Sequence, residues 1–109
     1  DTAKIYESTG FQDVFWQTSS HSELKISPNP VSYSARIGYI TPKYGKVNVS
    51  IYNLLGQKLE TLVNELQTEG AHEIVWNRRN NDGLEFQKGV YLCRMQSETT
   101  SAESKLIVN

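Results

Sequence analysis

Apolar and polar residues alternate along most of the chain from Leu24 onward, a period of two that is typical of half-buried β-strands. The alternation starts at Leu24 and Ile26 and stops at Pro28 and Pro30, whose nitrogens cannot donate to a β-ladder. Further alternating apolar positions follow at Ala35, Ile37 and Tyr39, at Val47, Val49 and Ile51, at His72, Ile74 and Trp76, and at Leu106 and Val108. Residues 90–96 are apolar on both sides, which predicts a central strand covered on both faces.

One segment fits two structures. Leu55, Leu59, Leu62 and Leu66 fall at helical spacing, so an amphipathic helix closed by Gly70 would account for them. Its neighbours are predicted strands at intervals of about 10 residues, the rhythm of a sandwich or barrel. The pattern leaves helix and strand open, and the strand would need a bulge where the alternation breaks after Leu59.

The runs together predict about seven short strands in an antiparallel β-sandwich. Tyr91 and Cys93 favour an immunoglobulin-like form of this all-β fold, because immunoglobulin domains place a tyrosine two residues before a cysteine at their tyrosine corner. Trp76 is the candidate for the core indole. The last strand, with Leu106 and Val108 on its core face, would also offer the backbone groups of its edge to a partner strand.

The first part of the chain lacks the regular alternation of apolar and polar residues. Residues 1–22 hold Phe11, Phe15 and Trp16 without a sustained period and end in a polar cluster. We interpret residues 1–22 as a linker or the tail of a preceding region, and residues 23–109 as the domain. The aromatic residues would either dock on the domain or belong to the preceding region. The start at Asp1, without a methionine or a signal segment, indicates a piece of a longer protein.

The composition excludes several kinds of protein and leaves the predicted β-sandwich unchanged. With 109 residues the chain is long enough for one domain with a single modest core. Its 11 basic and 12 acidic residues are spread along the whole length, so there is no basic stripe to bind nucleic acid. No apolar run approaches the roughly 18 residues of a membrane span. A single cysteine, Cys93, excludes an internal disulfide, and we expect a buried, inert thiol.

Residues that could carry chemistry do not form a convincing site. The loop 77–83 ends in Asp82-Gly83, but Arg78 stands where a calcium loop should begin and no glutamate closes it, so the sequence predicts a turn. We expect His72 to be a packing residue, and Arg78 and Arg79 to be solvated loop charges. The sequence therefore predicts no catalytic residue, no metal and no cofactor, in a protein that is not an enzyme.

Four segments occur in the order of a known family: ISPNPVSYSARIGY, VNVSIYNLLGQKLETL, GAHEIVWNRRNNDGLEFQKGVYLCRM and SKLIVN. Over about residues 24 to 109 the chain resembles the C-terminal sorting domain of the type IX, or Por, secretion system. The resemblance implies an immunoglobulin-like β-sandwich with a strand around Leu59. One loop departs from the family pattern, since Asn77-Arg78-Arg79 stands where members usually carry Asp or Asn followed by Gly.

The resemblance also implies a non-enzymatic address tag for a secreted cargo. Family members sit at the C-terminus of secreted proteins of Bacteroidota-type bacteria and direct their passage across the outer membrane. A surface sortase-like peptidase commonly removes them as the cargo is attached to the cell surface. The implied partners are the secretion machinery, this peptidase and an N-terminal cargo domain, with the sorting domain as a monomer. The implied route runs through the periplasm to the cell surface or the medium, and residues 1–22 would hold the cleavage position.

Family motifs single out the residues that we expect the export machinery to read. They lie in the Gly-Val-Tyr entry to one strand and in the run that closes the last strand. The seven residues are Gly89, Val90, Tyr91, Lys105, Leu106, Ile107 and Val108.

Two other classes of function stay open on the sequence. A structural or adhesive module is one, because the immunoglobulin-like domain of flagellar hook-capping proteins has a similar Tyr-Asn-x-x-Gly and Gly-x-Tyr pattern. A carbohydrate-binding sandwich is the other, and it would need aromatic side chains aligned on one exposed face. The candidates for that role are Tyr33, Tyr39, Tyr44 and Tyr52.

Overall fold

The computed structural model describes residues 24–109. This part of the chain contains seven β-strands and no helix. The strands are β1 (Leu24–Ser27), β2 (Ala35–Thr41), β3 (Gly45–Tyr52), β4 (Lys58–Gln67), β5 (Gly70–Trp76), β6 (Gly89–Gln96) and β7 (Ser101–Val108). The interpretation of residues 1–22 as a linker or tail, and the roles considered for Phe11, Phe15 and Trp16, lie outside the described residues.

The strands form two antiparallel sheets. One sheet has the order β1-β2-β5 and the other the order β4-β3-β6-β7. The fourth strand pairs with the third in the four-stranded sheet, whereas constant-type immunoglobulin domains place it in the opposite sheet. The prediction of an all-β antiparallel sandwich of seven strands is confirmed.

Strand β4 is the segment that fitted both a helix and a strand. Its register with β3 shifts twice, and the extra residues on β4 are Leu59 and Leu62. Each is a β-bulge, which adds a residue to one strand without ending the pairing. The predicted break near Leu59 is confirmed, whereas the bulge at Leu62 was not foreseen. Each bulge adds one residue and so interrupts the period of two. Two bulges within four residues therefore leave the leucines of this strand at the spacing that suggested a helix.

The hydrophobic core lies between the sheets and is built from the alternating positions that the pattern identified. The central members that are almost fully buried are Ile37, Tyr39, Val47, Val49, Ile51, Cys93, Met95, Leu106 and Val108. Burial also raises the pKa of the Cys93 thiol to about 12, which keeps it protonated and unreactive near neutral pH.

Strand β6 is central in its sheet, between β3 and β7, as predicted. The expectation that both of its faces are covered is wrong, because Val90 on the outer face is 41% exposed. The reason is that the second sheet covers one face only. An apolar run in the sequence does not reveal whether a further layer is present.

An aromatic cluster closes the end of the sandwich where β5 finishes and β6 begins. The Phe86 ring meets the Trp76 ring edge-on, with 4.9 Å between centroids, and lies 5.2 Å from the Tyr91 ring. The Tyr91 hydroxyl donates to the Gln87 carbonyl oxygen (2.6 Å), which is the bond of a tyrosine corner. Phe86 lies in the loop 77–88, so periodicity gave no signal for it, yet its burial packs this loop onto the core.

We expect the substitution Phe86→Ala to lower the free energy of unfolding by about 3 kcal/mol, since it empties a buried site between two rings. The matched control is Leu84→Ala in the same loop, where the side chain is 65% exposed and the change should be small. Urea denaturation followed by tryptophan fluorescence measures both. Equal effects of the two substitutions would contradict the packing role of Phe86.

Candidate recognition site on the last strand

The two groups of residues expected to be read by the export machinery lie side by side. Strands β6 and β7 pair in antiparallel register, which brings the start of β6 against the end of β7. Three pairs in this ladder join members of the two groups: Gly89 with Val108, Val90 with Ile107, and Tyr91 with Leu106. The structure therefore gathers residues from two distant motifs into one patch of the four-stranded sheet.

Only part of this ladder faces outward. Leu106 is 0% and Val108 is 2% exposed in the core, and Tyr91 is half-buried on the same inner face. Lys105 and Ile107 alternate with these residues, so they lie on the outer face beside Val90. Lys105 is exposed and Ile107 is half-buried. The expected set thus divides into core residues and an outer-face group, which we call the outer strip: Val90, Lys105 and Ile107.

The edge of β7 that faces away from β6 is paired by the proline-flanked segment that follows β1. The Asn29 side-chain nitrogen donates to the Lys105 carbonyl oxygen (2.8 Å), and the Ile107 N–H donates to the Asn29 Oδ1 (3.0 Å). An asparagine amide carries the same donor and acceptor as a peptide group. Asn29 therefore takes the place that a backbone partner would occupy in a neighbouring strand.

Val31 continues this pairing with its backbone. Its N–H donates to the Ile107 carbonyl oxygen (2.7 Å), its carbonyl oxygen accepts from the Asn109 N–H (2.8 Å), and it forms a parallel bridge with Val108. The Val31 side chain is completely buried. The expectation that this edge is open to a partner strand is wrong for residues 105–109, because a segment of the same chain folds back along it.

Arg78 joins three parts of the chain at the same place. Its Nη1 donates to the carbonyl oxygens of Ser32 and Asn109, and its Nη2 donates to that of Phe86 (3.1 Å). The expectation of a solvated loop charge is therefore wrong for Arg78, since a guanidinium presents several donors in fixed directions. We call Asn29, Val31 and Arg78 the terminal clamp, because together they hold the end of β7.

Charged groups are arranged unevenly on the outer face. Arg94 of β6 donates from Nη2 to Glu103 of β7 (2.7 Å) and lies over the Tyr52 ring, 4.8 Å from its centroid. The hydrogen bond to Glu103 raises the pKa of the Arg94 guanidinium, which therefore stays protonated. In the next outward-facing pair of the ladder, Leu92 with Lys105, the Lys105 ammonium has no ion-pair partner within residues 24–109. The outer strip therefore presents one unpaired positive charge beside two aliphatic side chains.

Other candidate chemistry gains no support from the described part of the chain. Residues 24–109 contain no group of three or more His, Cys, Asp or Glu that could hold a metal ion, and no helix that could cross a membrane. In the loop 77–88, the Asn80 Oδ1 accepts from the N–H groups of Asp82 and Leu84, so it caps a turn. His72 stacks on Tyr39 at 5.5 Å and donates to the Thr68 carbonyl oxygen, which makes it a packing residue.

The tyrosines do not form an aligned platform for a sugar. Tyr39 is buried, and Tyr52 lies under the Arg94 guanidinium. Tyr33 precedes β2 and Tyr44 follows it, so these two exposed rings lie at opposite ends of the sandwich. The carbohydrate-binding interpretation needs coplanar aromatic rings on one face, and the positions of these four tyrosines do not provide them.

Residues 25–109 match the sequence profile of the secretion system C-terminal sorting domain family. The chain belongs to this family. It is thus a sorting domain of the type IX, or Por, secretion system, a signal for export to the cell surface or beyond. No curated protein matches the chain.

The fold of the sorting domain is similar to part of one solved protein, described as dimeric latent PorU from Porphyromonas gingivalis. The TM-score is 0.67 at 23% sequence identity, over 87% of this chain and 10% of that one. The sorting domain therefore spans about a tenth of that protein, and the likeness concerns the fold alone.

The departure of this sorting domain from the family pattern falls on Arg78, whose φ is 55°. This is the left-handed region, which glycine enters without steric cost and which a residue with a Cβ adopts at a cost of about 1–2 kcal/mol. In this chain the guanidinium of Arg78 donates three hydrogen bonds to backbone oxygens, while its buried Nε has no hydrogen-bond partner among the described residues.

We expect Arg78→Gly to unfold with a free energy about 0.5–1 kcal/mol higher than Arg78→Ala, because both lose the guanidinium and only alanine keeps the strain. The neighbouring Arg79 is not in the left-handed region, so the corresponding pair of substitutions there should give the opposite order. Urea denaturation of the four variants makes the comparison. Greater stability of the alanine variant at position 78 would contradict the strained backbone.

Proposed function

We propose that the export machinery recognises this sorting domain through the outer strip, Val90, Lys105 and Ile107. The observation that carries the proposal is the register of β6 and β7, which places these three side chains together on the outer face of the sheet. Gly89, Tyr91, Leu106 and Val108 contribute to recognition by holding the ladder in place.

The chemistry of the outer strip defines the partner that would fit it. Val90 and Ile107 lie directly opposite each other across the ladder, so their side chains form one small apolar surface. The Lys105 ammonium lies in the next outward-facing pair, opposite Leu92. A complementary protein surface would cover the aliphatic groups with apolar side chains and would place a carboxylate near Lys105, which aligns the two partners.

Our proposal for the wider function follows the family. The cargo precedes the sorting domain, passes with it through the periplasm, and is separated from it at the cell surface by a sortase-like peptidase that cuts within residues 1–22. The sorting domain acts as a monomer, without catalysis or a cofactor. Support comes from the chain path, because Leu24 of β1 pairs with Tyr39 near the end of β2, at the end of the sandwich opposite the outer strip. A cargo attached there leaves the outer strip accessible.

To test the outer strip, a reporter is fused before residues 1–109 and expressed in a bacterium with this secretion system. We expect the double substitution Val90→Ser and Ile107→Ser to lower export of the reporter about tenfold, since it removes the apolar contacts of a small interface. The matched control is Val75→Ser, which makes the same change on the outer face of the other sheet at a side chain that is 68% exposed. The fraction of reporter outside the cells is measured, and circular dichroism of each purified domain checks folding.

Deleting residues 105–109 is a weaker test, because the deletion also removes Leu106 and Val108 from the core. Loss of export would then follow from unfolding as well as from loss of the signal. The substitutions on the outer face separate these causes. Normal export of a folded double variant would reject recognition through the outer strip and would indicate that the machinery reads another surface of the sorting domain.

A second measurement concerns the proposed cleavage. We expect mass spectrometry of reporter recovered from the cell surface to show a C-terminus within residues 1–22, since a cut before Leu24 separates the cargo and leaves the seven strands of the sorting domain whole. The control is the reporter retained inside cells, which should keep the whole domain. Recovery of exported reporter that still carries residues 24–109 would contradict removal of the sorting domain.

A further inference from the structure

The end of β7 is held by more hydrogen bonds than its pairing with β6 supplies. Along the opposite edge, the terminal clamp engages the carbonyl oxygens of residues 105, 107 and 109 and the N–H groups of residues 107 and 109. Asn29 and Arg78 supply side-chain partners, and Val31 supplies backbone partners. The clamp residues lie 31 to 78 positions away from their partners along the chain.

We propose that Asn29 and Arg78 are positioning residues of the sorting signal, which keep residues 105–109 in a strand so that the export machinery binds them in this clamped form. The proposal rests on the proposed function of the outer strip. It assigns to two residues outside that strip the task of presenting Lys105 and Ile107 beside Val90.

The need for a clamp follows from the place of β7 in its sheet. A strand at the edge has a neighbour strand on one side only, and segments with few partners open locally unless further contacts hold them. Leu106 and Val108 anchor the inner face, but they do not fix the backbone of the residues between and after them. Because the side chains of the outer strip alternate with the anchors, a local opening would turn Lys105 and Ile107 away from Val90.

The chemistry of the two side chains suits this task. The amide of Asn29 donates to one backbone group of β7 and accepts from another, which neither an aspartate nor an alanine can do. The guanidinium of Arg78 reaches the segment after Pro30, the end of the loop 77–88 and Asn109 at the same time. The two residues therefore fix the last strand to separate parts of the domain.

A clamped strand is also the form that favours binding. A partner that binds an ordered strand does not lose free energy in ordering it, whereas a partner that must first release and refold residues 105–109 does. The competing mechanism is displacement, in which a partner strand replaces residues 29–31 along the edge. In that case the clamp would oppose export.

The test uses the reporter fused to the full chain with Asn29→Ala, Asn29→Asp and Arg78→Gly. The aspartate keeps the acceptor for the Ile107 N–H and loses the donor, and glycine removes the guanidinium without leaving a strained backbone. Arg79→Gly is the matched control, because it removes the same charge from a side chain that bonds only within its own loop, to Gly83 and Glu85. Hydrogen exchange at the N–H groups of Ile107 and Asn109, thermal unfolding and export are measured for each variant.

We expect Asn29→Ala and Arg78→Gly to raise exchange at Ile107 and Asn109 about tenfold relative to the amide of Cys93, to shift Tm by only a few degrees, and to lower export several-fold. Asn29→Asp should fall between Asn29→Ala and the unaltered chain in both exchange and export. Arg79→Gly should match the unaltered chain in exchange at Ile107 and Asn109 and in export.

Faster exchange with unchanged export would overturn the positioning role and leave the clamp a structural feature. Faster exchange with increased export would overturn it in favour of displacement, and unchanged exchange would show that the clamp does not hold the strand. Each of these results can be told apart from failure of the outer strip, which is judged by the serine substitutions in an intact clamp.

Discussion

The backbone hydrogen bonds along the outer edge of β7 are the interaction on which the closed sandwich depends. A sheet edge presents N–H and C=O groups that otherwise pair with a foreign strand or with water. Here the segment that connects β1 to β2 covers that edge, with Asn29 acting as a substitute peptide group and Val31 pairing through its backbone. This connection also joins the two sheets, because it leaves one sheet and pairs with the last strand of the other.

In the function that we propose, folding and signalling use the same strand of this domain. Leu106 and Val108 complete the core, and the residues that alternate with them face outward. In a strand the two faces are set by one backbone, so the outer strip exists only when the inner face is packed. The recognition that we propose therefore requires a folded domain, in which the last strand is both a structural element and the presented surface.

Arg78 combines an unfavourable backbone conformation with several hydrogen bonds from its side chain. Its backbone has the left-handed conformation that favours glycine, and its side chain gains three carbonyl partners in return. The same loop is packed by Phe86 against Trp76 and Tyr91, so its path is fixed from two sides. The residue that departs from the family pattern thereby connects the aromatic cluster to the end of β7. Stabilisation elsewhere in the loop allows the strain to persist.

The sequence by itself determined the strands, their inward positions and the tyrosine corner, because a period of two and a short local motif are encoded within a few neighbouring residues. It also identified the family, and with it the residues of the last ladder. Only the tertiary structure decided that β4 has a second bulge at Leu62, that β6 is covered on one face, and that residues 105–109 are paired along the edge of β7. Asn29 and Phe86 gave no signal in the period-of-two pattern, and Arg78 stood out only as a departure from the family that the chain resembles. Their roles come from contacts with residues far along the chain, and local periodicity carries no information about which distant segments meet.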